Sequence, residues 1–127
     1  MQRAKMVELV ELYFAAVDTE NFDALRALLG EDCVFSVETH DVELRGTNAI
    51  AGMFDRLWKD HAGVRHQDFK HVSDPKENRI ASRFTVVNTE HDGTLTYKSN
   101  CNFFELVGDR FSRISVYMAG ANTLHDA

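Results

Sequence analysis

Among the side chains able to move a proton near neutral pH, His66 is the candidate, because an unperturbed imidazole titrates at about 6.5. It stands in the strand-like run VRHQDFKHV. Strict alternation puts it beside Asp68 and Lys70, with Phe69 on the other face. On that parity the imidazole faces solvent unless a β-bulge resets the register. Asp18 falls at the end of the first expected helix, where a carboxylate opposes the helix dipole. A residue set against its local preference can mark a site; the alternatives are an exposed carboxylate in the turn or a cap for the next helix. Tyr13 lies five residues earlier, about 140° around an ideal helix. Tyr13 and Asp18 can therefore share a pocket only if the helix has unwound by Asp18.

Polar residues on apolar faces are the second signal, since burying them costs free energy unless something pairs with them. Asn88 ends the row Ile80, Ser82, Phe84 and Val86, and Asn100 and Asn102 share a face with Phe104 and Leu106. An amide offers donors and an acceptor without a charge, which suits orienting a ligand carbonyl or hydroxyl. The competing reading is that these amides bond to neighbouring strands or turns. His66-x-Asp68 could bind a metal, yet no HExxH or comparable ligand set accompanies it. No G-x-S-x-G, Walker or Rossmann glycine pattern occurs. The expectation is a site without metal, nucleotide or other cofactor. The remaining histidines (His40, His61, His71, His91 and His125) fall at turns or on polar faces.

These residues need elements to hold them. Met6, Val7, Val10, Phe14 and Val17 recur at spacings of three and four, so residues 4–17 read as an amphipathic helix. Asn21 caps a second helix with Phe22, Leu25, Leu28 and Leu29 on its face, and Gly30 stands where a left-handed terminator would. The run CVFSVE is a strand. Thr47 is an N-cap for a third helix carrying Ile50, Met53, Phe54 and Leu57, closed by Gly63. From His66 to Met118 the period becomes two, with turn signals at SDPKEN, EHDG and VGDR. Helices followed by a hairpin meander make an α+β fold. The expected form is a cone, a curved antiparallel sheet with three helices from the N-terminal half on its concave face and a ligand cavity between.

At 127 residues the chain is one domain, 1–127, long enough to bury a core without disulfides or metal. A net charge of −6 and the absence of a basic run argue against a nucleic-acid partner. Glu8 and Glu11 interrupt the N-terminal apolar residues, so no signal peptide is expected, and no run of eighteen apolar residues suggests a membrane span. Cys33 and Cys101 lie far apart without a partner motif, as reduced thiols of a cytoplasmic protein would.

YFAAVDTENFDALRALLGEDCVF, RGTNAIAGMFDRL, VRHQDFKHV and SNCNFFELVGDRFSRISVYM together resemble the SnoaL-like branch of the nuclear transport factor 2-like superfamily, over nearly the whole chain. The resemblance implies a cone-shaped α+β barrel with a deep apolar pocket, usually a homodimer through the open sheet face. Within it the chain looks nearest to the scytalone dehydratase and bile-acid dehydratase type. There an aspartate at the end of the first helix pairs with a histidine at the start of the strand after the third helix, the positions of Asp18 and His66. Asn102 matches a pocket asparagine of that type, and Asn88 falls where scytalone dehydratase has a second histidine. Tyr13 matches the oxyanion-hole tyrosine of ketosteroid isomerases, but their catalytic-base position reads Val37 and their protonated carboxyl donor is replaced by Asn102. Polyketide cyclases usually carry an acid late in the last strand, where this chain reads Met118 to Gly120.

The implied activity is a cofactor-independent lyase (dehydratase) or isomerase acting on a small cyclic, polyketide-like or steroid-like molecule. His66 would be base and acid, with Asp18 as its orienter and Tyr13, Asn88 and Asn102 on the substrate. The alternatives are a non-catalytic pocket for a small apolar molecule and a dimeric scaffold.

Overall fold

The computed structural model describes residues 1–125 of the chain. Its order is α1 (Arg3–Asp18), α2 (Phe22–Leu28), β1 (Leu29–Val37), a short 3-10 turn (Glu38–His40), β2 (Val42–Arg45), α3 (Thr47–Asp60), β3 (Gly63–Asp74), β4 (Arg79–Thr89), β5 (Leu95–Val107) and β6 (Arg110–Tyr117). One six-stranded sheet runs β2-β1-β6-β5-β4-β3. The meander from β3 to β6 and the β1–β2 hairpin are antiparallel, whereas β1 lies parallel to β6. That single parallel pair makes the sheet mixed. Connectivity is the reason: β1 and β6 are far apart in sequence, so no tight turn fixes their relative direction.

Period-two patterning sets the inner face. Ile80, Ser82, Phe84, Val86 and Asn88 of β4 are all buried, as are Asn100, Asn102, Phe104 and Leu106 of β5. The buried stripe of α1 (Met6, Leu9, Val10, Tyr13, Phe14 and Val17) and that of α3 (Ile50, Met53, Phe54 and Leu57) cover this concave face. Tyr13 meets Phe14, Phe54, Phe104 and Phe111 edge-on, with centroids 5.0–6.4 Å away. Such pairs stabilise beyond the area they bury.

Three boundary expectations change. Gly30 is not a left-handed terminator but part of β1, where an added Cβ would stand 3.1 Å from the Phe111 carbonyl oxygen. Close backbone approach is its reason for being glycine. Gly46, with φ 87°, occupies the N-cap of α3 in place of Thr47. Helix α3 stops at Asp60, before Gly63, which opens β3. Asn21 does cap α2, its side chain accepting from the Ala24 N–H at 3.1 Å.

Candidate functional site

A bulge in β3 decides the site. Its pairing with β4 slips between Gln67 and Lys70, and Asp68 adopts φ 59°. The inserted residue reverses the parity of the rest of the strand, so His66 and Phe69 point the same way. His66 therefore faces the cone rather than solvent, its ring 4.6 Å from that of Phe14 and 5.2 Å from that of Phe84.

Asp18 closes on it from the last residue of α1. Its Oδ2 accepts the His66 backbone N–H at 2.8 Å, and its Oδ1 lies 2.5 Å from His66 Nδ1. These two N–H groups offset the unfavourable helix-terminal position. The end of α1 is itself pinned, because the Val17 carbonyl accepts the Trp58 indole N–H of α3 at 3.0 Å as well as the Glu20 N–H at 3.2 Å. The Asp18 side chain is 20% exposed and that of His66 11%, so water reaches this pair only partly. An ionised carboxylate only accepts, which places the proton on Nδ1 and leaves the lone pair on Nε2. Among the described residues Nε2 has no hydrogen-bond partner.

His66 lines a cavity between helices and sheet. Its atom-free volume is about 430 Å³ with the open mouth included, and the centre of a water-sized sphere can range over about 40 Å³ of it. That is room for about one small ring. Val17, Phe35, Phe54, Leu57 and Val64 supply apolar wall, while Tyr13, Asn88, Asn100 and Asn102 supply polar atoms. Among the described residues no Lys, Arg, Asp or Glu lines the cavity. Helix α1 continues through Asp18, and of the two residues only Tyr13 lines the cavity, with Asp18 standing behind His66. Burial pushes the Tyr13 phenol far above its ordinary pKa of 10.0, aided by Cys33 and Asp18, so it is a donor and not a phenolate.

The amides divide. Asn100 Oδ1 accepts the Ala119 N–H at 3.0 Å, a structural bond. Asn88 and Asn102 are 2% and 3% exposed, and among the described residues the Oδ1 of each is buried without a partner. An unsatisfied buried polar group costs about 1–3 kcal/mol. A ligand or water taking these bonds offsets that cost.

Two histidines expected at turns or on polar faces are drawn into the packing, His61 buried and His71 half-buried. His71 sits beside Phe69 with Nδ1 2.8 Å from Ser82 Oγ, and His61 lies at the end of α3 with Nδ1 2.9 Å from the Leu57 carbonyl oxygen. His71 Nε2 comes within 3.5 Å of Glu11 without forming a hydrogen bond. Both histidines knit elements together outside the cavity. Met118, Thr123 and Leu124 also line the cavity, which their places in the sequence do not foretell. No periodic signal exists for the last two, since the chain beyond Tyr117 forms no helix or strand among the described residues. No cluster of three His, Cys, Asp or Glu side chains suited to a metal occurs among the described residues.

The chain belongs to the SnoaL-like domain family, whose profile matches residues 10–114. A search of curated proteins gave no match. Among solved structures, a candidate polyketide cyclase from Xanthomonas campestris pv. campestris superposes with TM-score 0.83 at 19% identity, covering 91% of this chain and 90% of that one. An LEH-like epoxide hydrolase of M. tuberculosis gives 0.75 at 19% identity, over 91% and 84%. A protein of ketosteroid isomerase-like fold from Catenulispora acidiphila, in complex with trimethylamine, gives 0.77 at 16% identity, over 87% and 84%. At such identities the likeness is one of fold.

Proposed function

We propose that this protein is a cofactor-independent dehydratase or isomerase that acts on a small, uncharged cyclic carbonyl compound. One observation carries the reading: Asp18 holds His66 Nδ1 while Nε2, among the described residues, is left unbonded in a largely apolar cavity. In the dehydratase form, Nε2 removes a proton from the carbon next to a carbonyl or vinylogous carbonyl. The C–H pair becomes the new C=C bond and the C–O bond to the β-hydroxyl breaks. The imidazolium returns its proton to that hydroxyl, which leaves as water. Asp18 stabilises the transient imidazolium, and Tyr13, Asn88 and Asn102 bind the substrate oxygens. In the isomerase form the same proton returns to a different carbon. The cavity suits one ring better than a steroid or a large polyketide.

The test is enone formation, followed by ultraviolet absorbance, from a panel of cyclic β-hydroxyketones beginning with 3-hydroxycyclohexanone. His66→Ala is expected to lose about 10²–10⁴-fold in turnover, the range of a general acid–base residue. Asp18→Asn is expected to lose at least roughly tenfold. Binding without turnover in the native protein would favour the second reading, a small-molecule binding protein, which the two unpartnered amides also support.

The partner proposed besides the ligand is a second copy of the chain on the outer sheet face. Two free cysteines suit a reducing, cytoplasmic setting.

A further inference from the structure

Residues 119–125 cross the mouth of the cone without joining the sheet. Thr123 and Leu124 reach the cavity, and Leu124 packs against the core. Among the described residues no backbone-to-backbone hydrogen bond ties this segment down. Side chains of other elements hold it instead. Arg56 of α3 donates from Nε and Nη2 to the His125 carbonyl at 3.0 and 2.7 Å. Lys98 of β5 donates to the Ala121 carbonyl, and Asn100 accepts from Ala119. Asn122 and Leu124 brace each other, with bonds of 3.0 and 2.9 Å. Lys98 is directed inward by strand parity, opposite Val86, which is itself opposite His66. Burial lowers its ammonium pKa.

We propose that residues 119–125 are a strap latched by Arg56 and Lys98 that sets the size of ligand admitted, Leu124 being the residue that limits the closed cavity to about one ring. This rests on the small-molecule pocket proposed above but not on His66 chemistry. A segment held by a few side-chain bonds and little buried apolar surface opens more readily than a sheet strand. A ligand that fits the closed cavity is indifferent to that opening. One that needs the strap displaced binds with an apparent affinity reduced by the fraction of open molecules.

Two probes separate these cases: 2-cyclohexenone, with one ring, and octalone, a fused two-ring enone. Both can be read through the single tryptophan, Trp58, which stacks on the cavity residue Phe54 at 5.8 Å. Amide hydrogen exchange of the unliganded full chain reports strap opening independently of any ligand. Arg56→Ala is expected to raise exchange at Ala119 and Leu124, the strap amides that are hydrogen-bonded, by roughly tenfold, and to tighten octalone by the same factor while leaving cyclohexenone unchanged. Lys98→Met should act in the same direction. Leu124→Ala should tighten octalone relative to cyclohexenone. Unchanged exchange in both latch variants would overturn the latch, and raised exchange with unmoved octalone affinity would overturn the size limit. If neither enone binds any variant, the pocket reading falls and the size limit with it, and the exchange data still decide the latch.

Discussion

Asp18 accepts two N–H groups from the same residue, one from its backbone and one from its ring. The backbone contact fixes where the strand lies, so the ring contact selects a tautomer at little further entropic cost. Nitrogen NMR of His66 should show the proton on Nδ1 in the neutral form, and Asp18→Asn should populate the other tautomer. A ring protonated on Nε2 in the native protein would remove the proposed base. A second residue-scale expectation concerns acid stability. The Ser36 hydroxyl donates to Glu38 Oε1 at 2.8 Å and Arg113 adds an ion pair at 3.3 Å, holding the carboxyl below its ordinary 4.5. A depressed folded-state pKa contributes stability above the unfolded value, and that contribution is lost as pH falls through the folded one. Glu38→Gln should therefore flatten the loss of stability below pH 4.5, measured by denaturant unfolding across an acid series. An acid limb as steep as the native one would mean the contact contributes nothing.

At the scale of elements, strand β3 carries the decision that matters. Asp68 in the left-handed region is costly for most residues, and least so for glycine, asparagine and aspartate. Asp68→Gly should keep the bulge, the fold and the His66–Asp18 contact. Asp68→Val sets a β-branched residue at φ 59° and should cost about 1–3 kcal/mol in unfolding experiments. It should also shift the His66 ring resonances as the bulge rearranges. A Val variant as stable as the Gly variant would show that the bulge is held by something other than this backbone conformation.

Across the whole molecule, the outer sheet face is the unfinished surface. Tyr97, Phe103 and Tyr117 are 63%, 38% and 48% exposed on that face. They share it with Val87 and Cys101, since strand partners lie on one side of a sheet. Contiguous apolar patches mark interaction sites, and a two-fold pairing of one patch with itself is the commonest way to cover one. Light scattering should give twice the chain mass at micromolar concentration, and Tyr97→Lys with Tyr117→Lys should give the monomer. A native monomer would contradict the homodimer.

The α+β class, the three amphipathic helices, the meander and the faces of β4 and β5 were all legible along the chain. Each comes from periodicity, which depends only on neighbours along the chain. The SnoaL-like resemblance also named Asp18 and His66 as a pair. Tertiary structure alone decided that the pair could meet. Alternation pointed His66 to solvent, and one inserted residue at Asp68 turned it inward. The only local hint was an aspartate, which tolerates the left-handed conformation the bulge uses. The packing of His71 and His61, the parallel seating of β1 on β6, and the reach of Thr123 and Leu124 into the cavity were equally illegible. Each depends on contacts between residues distant in sequence, formed when the sheet curls around α1 and α3, and no pattern of adjacent residues encodes them.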